Sequence, residues 1–412
     1  MQQLRTHSGS AYLGILSSAV ILTQYASYLG KGEPVFKGQS AAIVLFFILF
    51  GVAFLFWFRV ESRTRARGVL SGFLIVMSLA WFAQLFLYRL HGDAFNYIAL
   101  LFVPILVMIW LKPPELNEVL NAILAFAWTV AVVLALTRIL EMIGALAIKA
   151  QPQNVITFDE ERYFLPLNDI LGIEGRWPGP FGHNGDTAMM GALLIVIAFA
   201  FWTRSSWVFI AVGGFTLLVT NGRASIGAAI AGLIVLVVFA KKGRIARIPR
   251  TLRLGGGIAA LALGATLMFF MSAGSTGRNI FWPAFLELWQ SSPLVGIGSS
   301  GISMSGGVTA QYGHAHNMYI DELARHGLLG FLTQYGAIAL GIVIAFLAAR
   351  RGFAGPLAII TTYLVTGATE PRYGWMGMSP TSMAVILGVV TACVALRQDS
   401  DPKLIQVPRG NT

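Results

Sequence analysis

EVLNAILAFAWTVAVVLALTRILEMIGALAI, residues 118–148, decides the fold. A helix rises roughly 1.5 Å per residue, so about 20 apolar residues cross a hydrocarbon core. This stretch exceeds that length, and its interior carries one basic and one acidic residue, Arg138 and Glu141. Three apart, they share a helix face, where pairing lowers the cost of burying each. They read as a structural ion pair or as part of a polar pathway.

Outward from this stretch, similar runs recur along the chain. Twelve candidate spans lie near 11–29, 41–58, 69–88, 95–111, 118–148, 186–202, 207–221, 224–240, 252–272, 327–349, 353–367 and 376–396. The first is longer than a signal-peptide core, and Ser27-Tyr28-Leu29 is no small-residue cleavage site, so it reads as a retained helix. Of 412 residues, 56% are hydrophobic and only 11% charged, and mean hydropathy is +0.71. Soluble proteins carry about a quarter charged residues, so a soluble globule is excluded. The expected fold is an all-α polytopic membrane protein, one membrane domain over residues 1–412. The single cysteine, Cys393, rules out an intrachain disulfide and a cysteine metal cluster and reads as inert.

The net charge of +11 would suggest nucleic acid in a soluble chain. Its distribution points elsewhere. With the N-terminus inside, 18 of 29 Lys and Arg fall in cytoplasmic segments, among them Arg204, Lys241, Arg253, Arg350 and Arg351, leaving +13 inside and −2 outside. Basic loops near span ends stay cytoplasmic, so both termini are expected inside, membrane lipids are the partner of this charge, and nucleic acid is not a partner.

Two outside segments are too long for turns, 149–185 and 272–326, and function is sought there. The first ends in Gly175-Arg176-Trp177-Pro178-Gly179-Pro180-Phe181-Gly182-His183-Asn184-Gly185-Asp186. It reads as a shaped re-entry loop with Trp177 as an interfacial anchor, or as a presentation of Arg176 and His183 to substrate. Arg223, after the minimal turn Asn221-Gly222, sits at the outer mouth of the bundle. Its planar donors suit phosphate oxygens, or it snorkels to lipid headgroups. In the larger loop, Phe281, Phe285, Leu288 and Trp289 have the spacing of an amphipathic surface helix, and Arg278 lies at its N-terminal amides, a combination that favours anions. His314-Ala315-His316-Asn317 follows. Either imidazole can take a proton from a sugar hydroxyl. Two histidines two apart also suit a metal, but without an HExxH pair or a cysteine partner no metal is expected. Glu370 and Arg372 form a last outside turn, an exposed ion pair or a further pair of site charges.

These motifs, in this order, resemble the O-antigen ligase and polymerase family of bacterial membrane glycosyltransferases. The resemblance rests on the Gly-Pro-Phe-Gly-His-Asn loop before span six, Arg223 after span seven, the Gly-Arg-x-x-x-Trp that holds Arg278 and Trp282, and His316-Asn317 with downstream Gly327 and Gly330. It covers about residues 170 to 345. The first motif reads His183-Asn184-Gly185 where the family often has His-Pro-Asn.

The resemblance implies a C-type glycosyltransferase-like architecture with short helices in the larger periplasmic loop, set in the bacterial inner membrane with a periplasmic active site. Such enzymes transfer a glycan from an undecaprenyl-diphosphate-linked donor to an acceptor hydroxyl, with inversion and without a metal or other cofactor. Arg223 and Arg278 would hold the diphosphate, His316 would deprotonate the acceptor, and Asn317 would position the loop. His314 competes for the base role, and adjacency to Asn317 favours His316. The acceptor would be the lipid A core for a ligase or a growing polysaccharide for a polymerase. A transporter or lipid flippase is the alternative from another class, and it would need a midplane cavity.

Overall fold

The computed structural model describes residues 18, 21–22, 115–144, 177–181, 184–220, 222–241, 248–249, 251–253, 255–257, 259, 278–368 and 380–398. Among them every regular element is helical. The expected spans 41–58, 69–88 and 95–111, nearly all of 11–29 and most of 252–272 lie outside the described residues, as do Arg176, His183, Glu370 and Arg372. The described helices are α1 (Leu116–Met142), α2 (Asn184–Ala200), α3 (Ser206–Thr220), α4 (Arg223–Val238), α5 (Arg278–Ser291), α6 (Gly298–Met304), α7 (Gly307–Tyr312), α8 (Met318–Arg351), α9 (Gly355–Gly367) and α10 (Pro380–Gln398).

The helix α1 holds no glycine or proline over its whole length. At its start the Glu118 carboxylate accepts the Glu115 backbone N–H at 2.9 Å, satisfying an amide with no intrahelical acceptor. Ile123, Phe126, Val130 and Leu134 are buried, while Trp128, Val132, Leu136 and Ile139 are exposed along the opposite stripe. By length and composition, α1 alone among the described helices is long and apolar enough to cross a membrane. The helices α2, α3, α4, α9 and most of α10 are apolar but shorter. At the start of the chain, Ile21 is fully buried and Ser18 shares a 2.7 Å hydrogen bond with Thr129 of α1.

Large apolar side chains project from the bundle as well as into it: Trp202, Trp207, Ile230, Val343 and Phe346 are all exposed. The interior is rich in small residues instead, with Ala188, Ala192, Ala228, Ala345, Ala348 and Ala358 fully buried. Small residues let helix backbones approach where solvent aversion does not drive association. The clearest case is the crossing of α2 and α3. A Cβ on Gly191 would lie 2.9 Å from the Gly213 carbonyl oxygen, and one on Gly213 would lie 2.6 Å from that of Gly191. Buried threonines are satisfied within their own helices, as Thr137, Thr216, Thr362 and Thr391 each donate to the carbonyl four residues back.

Two element boundaries and the setting of one side chain depart from the sequence reading. The helix α1 ends at Met142, followed by Gly144 with φ of 69°, where the apolar run predicts helix to 148. The helix α8 begins at Met318 and not at 327, because the charged segment before the apolar run is itself helical. Trp177 is no surface anchor: it is buried, and its indole N–H donates to the Glu141 carboxylate at 2.8 Å while Arg138 pairs with the same group at 3.2 Å.

The polypeptide runs one way along the bundle in α2, α4, α8 and α10 and the other way in α3 and α9, which gives the bundle two unlike ends. At one end Gly222 lies against Ala188, the Thr366 hydroxyl meets the Met189 sulfur at 3.0 Å, and Asn317 reaches Ala368 at 3.0 Å. The starts of α2, α4 and α8 therefore share that end with the finish of α9. At the other end, Arg253 donates to the last carbonyls of α4, Arg351 donates to Leu396 of α10 at 2.9 Å, and Lys241 lies against Gly352.

Candidate active site

The histidine segment lies between α7 and α8. Gly313 takes φ of 67° as α7 closes, and His316 takes φ of 49°, the one non-glycine residue in the left-handed region among those described. That conformation is costly for a side chain carrying a Cβ and persists where the surroundings fix it. Asn317 supplies part of the constraint. Its carbonyl oxygen caps α8, accepting the amides of Tyr319 at 2.9 Å and Ile320 at 3.2 Å. Its amide nitrogen donates to Ala368, tying the cap to the end of α9. Tyr319 repeats the tie through its hydroxyl, which donates to Leu364 at 2.9 Å, and burial pushes its pKa up to about 12.

The two imidazoles meet edge to face with ring centroids 4.3 Å apart. Phe281 of α5 stacks on the far side of His316 at 5.6 Å with 28° between planes. The amphipathic face expected of 281–289 is present, with Phe281 and Phe285 buried and Leu288 packed beside Phe285 against Ile302, Ala315 and Ala324. Nδ1 of His314 and Nε1 of Trp282 are buried with no hydrogen-bond partner among the described residues. Desolvation holds the His314 pKa below its ordinary 6.5; Asp321 pulls it upward, while Arg325 pushes it down.

Beneath this segment, two buried i,i+4 pairs occupy the first turns of α8. Arg325 and Asp321 meet at 2.7 Å, and His326 and Glu322 at 2.7 Å. Arg325 also donates to the Gly313 carbonyl, and the other Asp321 oxygen accepts the Ala315 N–H at 3.1 Å. Sequence reading passed over these four residues; their i,i+4 spacing was the available signal.

Just past His326 the helix breaks. Gly327 has φ of 61° and ψ of −166°, a backbone state open to glycine and strained for other residues. The segment 293–297 fills the break. Leu328 and Leu329 donate to Pro293 and Leu294 at 2.8 and 3.0 Å, and the freed Ala324 carbonyl accepts from Ile297 at 2.9 Å. Three groups that the break releases thus find partners outside the helix. A Cβ on Gly327 would strike the Leu294 backbone.

His314, His316 and Asn317 therefore come together with α5, which Arg278 opens; the Arg278 side chain lies outside the described residues. Arg223 opens α4 at the same end of the bundle, half-buried beside Gly222. Arg138, paired with Glu141, borders a cavity of about 300 Å³ between α1 and α3, lined also by Leu134, Trp177, Val212, Phe215 and Thr216. Among the described residues no three His, Cys, Asp or Glu side chains gather in a metal-binding group. Compared with known proteins, the chain matches no family model and no curated protein.

Proposed function

We propose that the chain is an inner-membrane glycosyltransferase of the O-antigen ligase and polymerase kind. In this reading it has twelve spans, both termini in the cytoplasm, and a site facing the periplasm. It moves a glycan from an undecaprenyl-diphosphate-linked donor to an acceptor hydroxyl. The observation that carries the proposal is the histidine pair on a strained, doubly anchored segment at the bundle end opposite Lys241, Arg253, Arg350 and Arg351. Basic residues at one end and a proton-accepting cluster at the other agree with a cytoplasmic and a periplasmic pole. The outward-facing Trp202, Trp207, Val343 and Phe346 agree with contact to lipid.

His316 takes the proton from the acceptor hydroxyl as that oxygen attacks the anomeric carbon. The bond from the anomeric carbon to the diphosphate oxygen breaks, inverting the centre and releasing undecaprenyl diphosphate. Arg223 and Arg278 hold the diphosphate and offset the charge that develops on its departing oxygen. Arg176, His183, Glu370 and Arg372, which the sequence places in the other outer segments, would support the site or contact substrate in this reading. The lipid A core is the acceptor for a ligase and a second lipid-linked chain for a polymerase, and the ligase is the reading carried forward.

The test supplies purified protein with a synthetic undecaprenyl-diphosphate glycan and a panel of acceptors, and follows transfer by gel shift. His316→Asn is the informative variant, because asparagine tolerates a left-handed backbone while removing the imidazole. Transfer is expected to fall by about 100- to 10,000-fold with folding retained. Undiminished transfer would move the base role to His314. No transfer by wild type with any acceptor, together with movement of the lipid-linked glycan across vesicles, would replace the transferase with a flippase.

A further inference from the structure

We propose that Asp321 and Arg325 are positioning residues of the proposed transfer reaction, acting through His314 and His316 by clamping the segment between α7 and α8. The inference rests on the transferase reading and adds two residues that its motifs do not contain.

An i,i+4 pair on an exposed helix face needs only its two members and stabilises the helix little. This pair is different in kind. Asp321 and Arg325 are both buried, and burying two charges is repaid only where their remaining hydrogen-bonding capacity is used. Each side chain spends that capacity on the segment. The Arg325 fork donates to Asp321 Oδ2 with Nε and to the Gly313 carbonyl and, at 3.5 Å, Asp321 Oδ1 with Nη2, while Asp321 Oδ1 also accepts the Ala315 N–H. Gly313 and Ala315 are the two neighbours of His314. Asn317 anchors the far side of His316 through its cap and through Ala368. Positions 313, 315 and 317 are thus fixed by three side chains, and the imidazoles between them have their backbone directions set.

The same clamp sets the field around His314. Among the described residues, the charged and titratable groups that face it are Asp321 and Arg325 of α8 and His316 beside it. Phe281 of α5 covers His316, and Glu287 of α5 is exposed. Glu322 and His326 pair with each other. Asp321 favours the protonated imidazole of His314 and Arg325 opposes it. Removing either charge loosens the segment, but the two removals push His314 in opposite directions.

The experiment compares wild type with Asp321→Asn, Arg325→Gln and Arg325→Lys in the synthetic donor and acceptor assay across pH. Histidine-labelled protein in lipid nanodiscs is titrated in parallel by nuclear magnetic resonance, with His314 assigned from His314→Gln. Turnover is expected to fall by about a hundredfold in the first two variants, with donor KM changed by less than about twofold. The His314 titration should move down in Asp321→Asn and up in Arg325→Gln. Arg325→Lys keeps the charge and loses the fork, so turnover should drop while the His314 titration stays near wild type. Titrations that move together or not at all would overturn the proposal, as would unchanged turnover in all three variants. Should Arg325→Gln not fold, Arg325→Lys and Asp321→Asn carry the test on the same criteria. Opposed titration shifts with no transfer by wild type would retain the clamp's geometry and field but overturn its role in transfer along with the transferase reading; transfer by wild type without opposed shifts would overturn the clamp alone.

Discussion

The two ends of the bundle handle charge in opposite ways. At the end that holds α8's first turns, Asp321, Glu322 and Arg325 are buried, the first and last bonded to each other and to the histidine segment and Glu322 to His326. At the opposite end, Arg253 is half-buried and Arg351 exposed, and both spend their donors on the last carbonyls of α4 and α10. Charge there closes helices whose final carbonyls have no partner, and lysine or arginine near a helix C-terminus also complements the helix dipole. Where charge is buried it specifies the path of a loop; where it is exposed it only finishes helices, so substitutions at the two ends should differ in size and in kind.

The largest structural effect is expected at the break. Gly327→Ala forces a Cβ into the Leu294 backbone at a left-handed φ, and a loss of about 2–4 kcal/mol should appear as a lower unfolding temperature. An unchanged unfolding temperature would mean that segment 293–297 is not seated as described. Asn317→Ala removes the α8 cap and the link to Ala368 and should cost about 1–3 kcal/mol, together with transfer activity.

A smaller effect follows from pH. His314 holds its proton less readily in the folded protein than in the unfolded chain. Above the ordinary value of 6.5 both states are neutral and stability is fully present. Below it the unfolded chain takes up the proton first, so stability is lost as pH falls. Thermal unfolding from about pH 7.5 to 5 should decline more steeply in wild type than in His314→Gln. The smallest effect belongs to the opposite end: Arg351→Ala should shift stability by less than about 0.5 kcal/mol and leave transfer intact. A loss of transfer there would dissolve the contrast between the ends.

Much of the described helix pattern was legible as apolar runs. The expected 186–202, 207–221, 224–240 and 353–367 match α2, α3, α4 and α9 within two residues, because glycine, proline or a basic residue punctuates each. The start of α8 was not legible from hydropathy, since Asp321, Glu322, Arg325 and His326 break the apolar run. Their helix is held by pairs at i,i+4, which hydropathy does not register. The Arg138 and Glu141 pair was readable from spacing, whereas the third member, Trp177, lies 36 residues beyond Glu141 and joins only through tertiary packing. The closeness of His314 and His316 could be read from two-residue spacing, but the left-handed backbone at His316 could not.

The break at Gly327 has a mechanical consequence. A continuous helix of 34 residues would transmit any tilt of its lower part directly to its first turn. Spanning helices tilt to match the thickness of the surrounding bilayer. In the membrane reading proposed above, the ladder interrupted at Gly327 and restitched to segment 293–297 would let the part from Leu328 onward follow that thickness, while the part carrying Asp321 and Arg325 rides with α5 and the histidine segment. Under that reading the joint would isolate the alignment of the two imidazoles from the lipid composition around them.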